Sequence, residues 1–374
     1  MKRASKLSAV ATGIGLADGL RLLARQRFRV SAGSRITAIA LLGSICSALG
    51  LVETALFSRR IRAQIVDPAP LFVLGHWRSG TTHLVNLLGH DPAHTFSNNW
   101  QVVFASHFLL TGGIGPRLLA GAMARKRSYD AVEYGWLVPG EDEIALLKLT
   151  GGRSPYAGML FPENCEQYEP FLDFGDPATE GDRTAFLDAL EGFTRKVMVA
   201  GGGRRVVFKS CTHTARVRLI RSRFPDARFV YVHRHPARVF SSTLHMRGIV
   251  DSEHSLQKLS SSVADRWDQT ARVGERMWKR YFEDRKQVPR DRLVEVAYDD
   301  LCGNELARCR TIYDQLGLTG WDAFAARLEP YVARLRGYVR NDLPLDARLL
   351  DYVYDRWHFV YREHGYERSP EGHL

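Results

Sequence analysis

The chain has 374 residues, of which 45% are hydrophobic and 25% are charged, a composition typical of soluble globular proteins. Its net charge of +11 favours an anionic ligand or an anionic membrane surface; without a zinc-finger, basic-zipper or RNA-recognition signature, nucleic acid is not an expected partner. The five scattered cysteines form no C-x-x-C pair, which argues against a disulfide framework or a zinc site and favours the reducing cytoplasm.

The first predicted element is the apolar segment Ile36–Val52, with Arg35 before it and Arg59, Arg60 and Arg62 after it. Its 17 residues reach only the lower limit for a membrane-spanning helix. Three interpretations stay open: a helix lying in the membrane surface, a helix packed on the rest of the protein, and a transmembrane span. We therefore predict an N-terminal helical segment at 1–66 and a second domain at 67–374, which begins where two closely spaced prolines interrupt the pattern.

From Leu71 onward, short apolar strands alternate with amphipathic helices. The predicted strands are Leu71–Leu74, Val206–Phe208, Phe229–Val232 and Leu293–Val296, and the predicted helices are Thr81–Gly89, His213–Arg223 and Pro236–His245. This alternation predicts an α/β fold with a P-loop-like parallel sheet flanked by helices, preceded by the N-terminal apolar and basic helical segment. Residues 100–200 are expected to form a helical, irregular insertion on the substrate side.

The loop after the first predicted strand has the composition of an anion-binding loop. It combines Gly75 and Gly80, the hydroxyls of Ser79, Thr81 and Thr82, and the fixed charge of Arg78, which together suit a phosphate or sulfate group. His76 and Trp77 complete the loop. The two glycines have the spacing of a nucleotide-triphosphate loop, but Thr81 occupies the position of the lysine. A metal-free anionic ligand is therefore expected in preference to Mg-ATP.

Two further segments carry side chains suited to anions. Arg234 follows the strand Phe229–Val232, and Ser242 lies eight residues later on the next helix; a guanidinium and a hydroxyl suit a phosphate monoester. Lys209 follows the predicted strand Val206–Phe208 and is itself followed by Ser210.

These three segments resemble the phosphate-binding segments of sulfotransferases that use 3′-phosphoadenosine 5′-phosphosulfate (PAPS), and in particular those of a bacterial branch with G-H-W-R-S-G-T-T-H, P-x-E-D-E-x-A-L and K-S-x-x-H-T segments. The resemblance implies that 75–82 binds the 5′-phosphosulfate and that Arg234 and Ser242 bind the 3′-phosphate. It also implies that Lys209 bridges the leaving phosphate and the sulfuryl group. Arg336 and Gly337 resemble a late Arg-Gly pair that helps to hold the 3′-phosphate.

The expected catalytic residues are Arg78 and Lys209, which would stabilise developing negative charge, and one base that takes the acceptor's proton. Cytosolic members place a histidine where this chain has Cys211, so we rank the base candidates as His213, Glu143 and Glu141. Each has a structural interpretation as well: His213 as a residue that orients the donor, and the two glutamates as the first turn of a helix.

The resemblance predicts transfer of the sulfuryl group of PAPS to a hydroxyl or amine, leaving 3′-phosphoadenosine 5′-phosphate (PAP), without a metal. The expected acceptor is a small molecule, a lipid or lipid-linked compound, or a glycan, met in the cytoplasm or at the inner face of the membrane. Two alternatives stay open: a nucleotide kinase or NTPase with a degenerate phosphate loop, and a membrane-attached protein that binds PAPS without catalysis.

Overall fold

A computed structural model of the protein describes residues 10–24, 26, 32–130, 132–335 and 343–370. Its strands are β1 (Leu71–Leu74), β2 (His94–Phe96), β3 (Arg205–Lys209), β4 (Arg228–His233) and β5 (Leu293–Ala297). They form one five-stranded sheet in the order β2-β3-β1-β4-β5. Strand β1 pairs in parallel with β4, with Leu71 opposite Arg228, and β4 pairs in parallel with β5, with Phe229 opposite Leu293. The predicted α/β fold is confirmed.

The helices of the described residues, in chain order, are α1 (Leu16–Ala24), α2 (Gly33–Ala63), α3 (Thr81–Leu88), α4 (Asn99–Val103), α5 (Phe108–Thr111), α6 (Gly115–Leu118), α7 (Asp142–Leu149), α8 (Glu180–Ala200), α9 (Val217–Arg223), α10 (Pro236–His254), α11 (Val263–Asp284), α12 (Tyr298–Leu301), α13 (Glu305–Gln315), α14 (Trp321–Leu335) and α15 (Ala347–His364). Their ends carry recognisable signals. Ser262 and Asp265 form a reciprocal capping box at the start of α11, and Gly365, with φ 68°, ends α15 in the left-handed conformation.

The chain divides into two compact units, each built from separated segments. The described residues of 1–70, 95–208 and 248–260 form unit 1, which is mainly helical, with a core that includes Leu146, Phe193 and Val197. The described residues of 71–94, 209–247 and 261–374 form unit 2. Strand β1 is buried throughout in unit 2, as are the central residues of β4, and α11 and α15 add the buried Trp278 and Trp357.

The strand predictions agree with the structure. Strand β1 has its predicted bounds. Strands β3 and β4 extend one residue beyond the predicted range at each end, and β5 extends one residue at its C-terminal end. Strand β2 was missed, since three residues are too short for a periodic pattern. The prediction of a single helix over His213–Arg223 was wrong: a 3-10 helix spans Cys211–Ala215, and Arg216, at φ −127°, separates it from α9.

The N-terminal apolar segment lies within α2, which is longer than the predicted run. In the described part of the chain, α2 is the helix with the length and composition to cross a membrane. The helix contacts α1, α5 and α8 within unit 1, so one of its faces is packed against protein.

Candidate active site

The loop between β1 and α3 turns at two glycines, Gly75 at φ 145° and Gly80 at φ 109°. Residues with a side chain rarely adopt these angles. A Cβ atom at Gly75 would lie 2.5 Å from the Ser79 hydroxyl and 2.5 Å from the carbonyl oxygen of Val232, and one at Gly80 would lie 2.2 Å from the Tyr298 ring. The loop can approach its neighbours this closely only with glycine at both positions.

The loop leads directly into the N-terminus of α3. The N-cap residue Gly80 offers no side-chain hydrogen bond, and the first-turn N–H groups of a helix have no partner inside the helix. The hydroxyl oxygen of Ser79 is buried and has no hydrogen-bond partner within the described part of the chain. A helix N-terminus favours an anion. With the buried Ser79 hydroxyl beside it, this end of α3 fits a phosphate or sulfate group.

Arg78 connects this loop to α10. Its Nε donates a hydrogen bond to Ser242 Oγ at 2.9 Å. The backbone of Arg78 lies at φ 70°, a conformation that costs of the order of 1–3 kcal/mol in a non-glycine residue and is concentrated at functional sites. The segments predicted to bind the two ends of one nucleotide are therefore in contact through these two side chains.

Arg234 follows β4 and lies against an aromatic ring. Its guanidinium carbon is 4.8 Å from the centre of the Tyr298 ring, and the same ring fills the space beside Gly80. Tyr298 therefore contacts both Arg234 and the loop. We did not select it from the sequence, although it begins Tyr298–Leu301, a segment that resembles the Y-E-D-L segment of the family.

The two histidines around Arg234 are bound to the chain after α15. His233 Nδ1 lies 2.8 Å from the Tyr366 hydroxyl, and His235 Nε2 donates to the carbonyl oxygen of Glu367 at 2.9 Å. The His233 ring also stacks on His364, with ring centres 4.1 Å apart. These contacts support the turn that carries Arg234. No pattern in the sequence predicted them, because the partners are more than 130 residues apart.

Lys209 ends β3 and is buried, and the 3-10 helix that follows it contacts the anion-binding loop. Gly75 N donates to Thr214 Oγ1 at 2.8 Å, and Thr81 Oγ1 lies 3.7 Å from Cys211 Sγ. The K-S-x-x-H-T segment and the G-H-W-R-S-G-T-T segment are thus neighbours in unit 2.

His213, the first-ranked base candidate, is fully buried. Its ring meets the Phe72 ring edge-on, with centres 5.5 Å apart, and its backbone N–H donates to Ser210 O at 3.2 Å. Nearby, Arg216 Nη1 donates to Thr212 Oγ1 at 3.2 Å. Arg216 is also fully buried.

The other two base candidates lie in unit 1, where they open α7 as the alternative interpretation expected. Glu143 is buried and accepts a hydrogen bond from Ser154 Oγ at 2.6 Å. Glu141 is the N-cap residue of α7, is partly exposed, and accepts a hydrogen bond from the Tyr156 hydroxyl.

His76 is packed among tryptophans. Its ring stacks on Trp278 with centres 4.7 Å apart, and its Nδ1 lies 2.9 Å from the carbonyl oxygen of Trp77. Burial lowers the pKa of His76 to about 4, so the ring is neutral at pH 7. These contacts assign His76 a role in fixing the loop.

Two of the predicted site residues, Arg336 and Gly337, lie outside the described residues. Within the described ranges, no group of three or more His, Cys, Asp or Glu side chains could hold a metal ion.

The sequence model of the sulfotransferase family matches residues 70–323, more than half of the chain. The chain therefore belongs to the sulfotransferase family, as its motifs predicted, and neither a kinase or NTPase nor a non-catalytic binding protein is favoured. It is 30% identical over 366 residues to the omega-hydroxy-beta-dihydromenaquinone-9 sulfotransferase Stf3 of Mycobacterium bovis and of Mycobacterium tuberculosis. That alignment covers 96% of this chain and 92% of the relative.

Two solved structures share the fold. The sulfotransferase STF9 from Mycobacterium avium matches with a TM-score of 0.70 at 17% identity, over 96% of this chain and 92% of that one. The sulfotransferase STF1 from Mycobacterium tuberculosis H37Rv matches with a TM-score of 0.65 at 19% identity, over 91% of this chain and 90% of that one.

Proposed function

We propose that this sulfotransferase takes its sulfuryl group from PAPS. The observation that carries the proposal is the hydrogen bond from Arg78 to Ser242. It brings the loop assigned to the 5′-phosphosulfate beside the helix assigned to the 3′-phosphate, and Arg234 precedes that helix. A donor with anionic groups at both the 5′ and 3′ positions matches this arrangement, whereas a nucleotide with phosphates at the 5′ position alone would leave Arg234 unused.

Calorimetric titration with PAP in the absence of Mg²⁺ tests the donor site, with AMP and ATP as comparison ligands. We expect PAP to bind at least about tenfold more tightly than AMP, which is the effect of one lost charge-assisted contact of about 1.4 kcal/mol or more. Arg234→Ala should remove this preference. Binding of ATP alone, and only with Mg²⁺, would contradict the proposal.

In the proposed reaction, the acceptor oxygen forms a bond to sulfur while the bond from sulfur to the 5′-phosphate oxygen breaks. Negative charge grows on that leaving oxygen, and the acceptor's proton passes to a base. We assign the stabilisation of this growing charge to Arg78, Lys209 and the N–H groups of the loop, because fixed donors in a site shielded from water stabilise charge most strongly.

The proposed base is His213, with Glu143 and Glu141 ranked after it. His213→Ala should abolish turnover and leave PAP affinity within about twofold, since a general base contributes to the chemical step and not to donor binding. His358→Ala, on an exposed part of α15, is the matched control. Loss of PAP affinity together with turnover would instead make His213 a donor-orienting residue, and Glu143→Gln and Glu141→Gln would then be measured.

The proposed acceptor is the hydroxyl of a lipid. The support is the relative Stf3, whose name specifies a hydroxylated dihydromenaquinone, together with the exposed apolar helix α2. Transfer of radiolabelled sulfate from PAPS to an ω-hydroxylated dihydromenaquinone in mixed micelles is the direct assay. A short alcohol, an alkyl amine and a glycan serve as comparison acceptors, and faster transfer to any of these would overturn the lipid assignment.

We further propose that the enzyme works in the cytoplasm, at the inner face of the membrane. In this proposal residues 67–374 form the catalytic domain and residues 1–66 an N-terminal helical segment associated with the membrane.

A further inference from the structure

The inner face of α2 is fixed to unit 1 by polar contacts as well as packing. Glu53 is buried, forms an ion pair with Lys196 at 2.5 Å, and accepts a hydrogen bond from Leu110 N at 3.0 Å. About two turns earlier on this face, Cys46 Sγ lies 3.4 Å from His107 Nε2, and the Oγ of the adjacent Ser47 accepts a hydrogen bond from Leu16 N at 3.0 Å. Because of these contacts, α2 cannot separate from the rest of unit 1 without exposing the buried ion pair between Glu53 and Lys196.

The opposite face of α2 is apolar and exposed. Leu41, Ile45, Val52 and Leu56 are 64%, 54%, 46% and 65% exposed. Their spacing places them on one side of a helix with 3.6 residues per turn, over a length of about 22 Å. Leu51, beside this stripe, is exposed too. An exposed stripe of this length on a soluble protein indicates a surface that meets a partner.

Positive charge lies at the C-terminal end of the same face. Arg59 and Arg60 are exposed, and Arg59 continues the stripe one turn after Leu56. An apolar helical face with arginines at its edge suits the boundary between lipid headgroups and acyl chains, where the side chains enter the apolar layer and the guanidinium groups meet anionic phosphates.

We propose that α2 docks the enzyme in the plane of an anionic lipid surface through the face formed by Leu41, Ile45, Val52 and Leu56, with Arg59 and Arg60 on the headgroups. The helix does not cross the bilayer, although its length and composition would allow that, because Glu53 and Cys46 hold its other face on the protein. The proposal rests on the lipid acceptor proposed above and specifies which surface brings the enzyme to it.

Vesicle flotation of the full chain tests the docking face, using vesicles of phosphatidylcholine alone and of phosphatidylcholine with 30 mol% phosphatidylglycerol. We expect the wild type to float with the anionic vesicles. The double variant Ile45→Asp/Val52→Asp should reduce the floating fraction at least about tenfold. Val263→Asp, which places the same charge at a 62% exposed valine of α11, should leave it unchanged. Arg59→Glu/Arg60→Glu should remove the preference for anionic vesicles.

Thermal unfolding and PAP titration of each variant separate docking from folding and from donor binding. A variant that binds PAP like the wild type and no longer floats supports the docking face. Equal flotation of the wild type and Ile45→Asp/Val52→Asp would overturn it, as would wild-type protein that binds PAP and floats with neither vesicle. A shift from dimer to monomer in Ile45→Asp/Val52→Asp, without wild-type flotation, would show instead that a second copy of the chain covers this face. Flotation without PAP binding would count against the donor assignment alone.

Discussion

Arg78 illustrates what single residues contribute and how far the sequence predicts them. Its charge and its place in the loop could be selected from the sequence. Its left-handed backbone and its hydrogen bond to Ser242 could not, because they depend on a helix that begins more than 150 residues later. The same holds for Tyr298, which contacts Arg234 and the loop together: its Y-D-D-L segment can be recognised in the sequence, but the residues beside its ring cannot.

The proposed stabilisation of the leaving oxygen predicts a large effect on turnover. Arg78→Ala and Lys209→Ala should each lower kcat at least about 100-fold, the scale of one lost transition-state donor. The measurement is kcat at saturating PAPS and acceptor. Arg218→Ala is the control: it removes a guanidinium that is 55% exposed, and it should have no effect on kcat. Rates near that of the wild type in both site variants would refute the assigned roles.

Gly80 allows a prediction that separates a steric clash from backbone strain. Gly80→Ala would place a Cβ atom 2.2 Å from the Tyr298 ring, whereas Gly303, at φ 86°, has no atom within 4 Å of its added Cβ. Both alanine variants should lose about 1 kcal/mol or more of stability from positive φ. Only Gly80→Ala should also weaken PAP binding, by at least about tenfold. Equal PAP affinities in the two variants would show that the contact with Tyr298 does not shape the site.

At the scale of elements, the strands and most helices could be predicted because their apolar periodicity is strong. Strand β1, buried at every position, has its predicted bounds. Prediction failed where the backbone departs from regular geometry: Arg216 interrupts what the apolar spacing described as one helix, and it does so with a buried side chain. Apolar periodicity indicates which side chains are buried, but it does not show where the backbone leaves helical geometry, as it does at Arg216.

The turn after β4 gives a prediction at this scale. Tyr366→Phe removes the hydrogen bond to His233 Nδ1 and keeps the ring. If the segment after α15 positions Arg234, PAP affinity should fall about threefold to tenfold, the effect of a hydrogen bond of about 1 kcal/mol. Calorimetry would measure this, with Tyr354→Phe on the exposed side of α15 as the control. An unchanged affinity would mean that Arg234 is held without Tyr366.

Across the whole molecule, neutral histidines that are buried or half-buried link stability to pH. Burial lowers the pKa of His76, His107 and His254 to about 4. Burial, with the charges of His233 and Arg285, lowers the pKa of His364 to about 3. In the unfolded chain these rings protonate near pH 6.5, so between about pH 6.5 and 4 the unfolded state binds more protons than the native state. Stability should therefore decrease as the pH falls through this window.

Denaturant unfolding at intervals from pH 7 to pH 4.5 would measure this dependence. Each such histidine contributes a slope of at most about 1.4 kcal/mol per pH unit. His364→Gln should reduce the total slope by about that amount, and His358→Gln, at an exposed position, should not. Protonation of carboxylates also lowers the stability of the protein in acid. The decisive quantity is therefore the difference in slope between His364→Gln and His358→Gln. A slope unaffected by His364→Gln would refute the contribution of His364.

The ribosome synthesises α2 well before α8, so the face of α2 that α8 covers is exposed for a time in the nascent chain. Glu53 is synthesised roughly 140 residues before Lys196, the partner that buries its charge. At a synthesis rate of about 5–20 residues per second, about 7–30 s pass between the synthesis of α2 and that of α8, which then covers part of the inner face of α2. During that interval α2 can pack on α1 and α5, but the part of its inner face that α8 covers stays exposed. Nascent chains that stop before α8 should therefore be captured by chaperones, or adsorb to membranes, more readily than the finished enzyme.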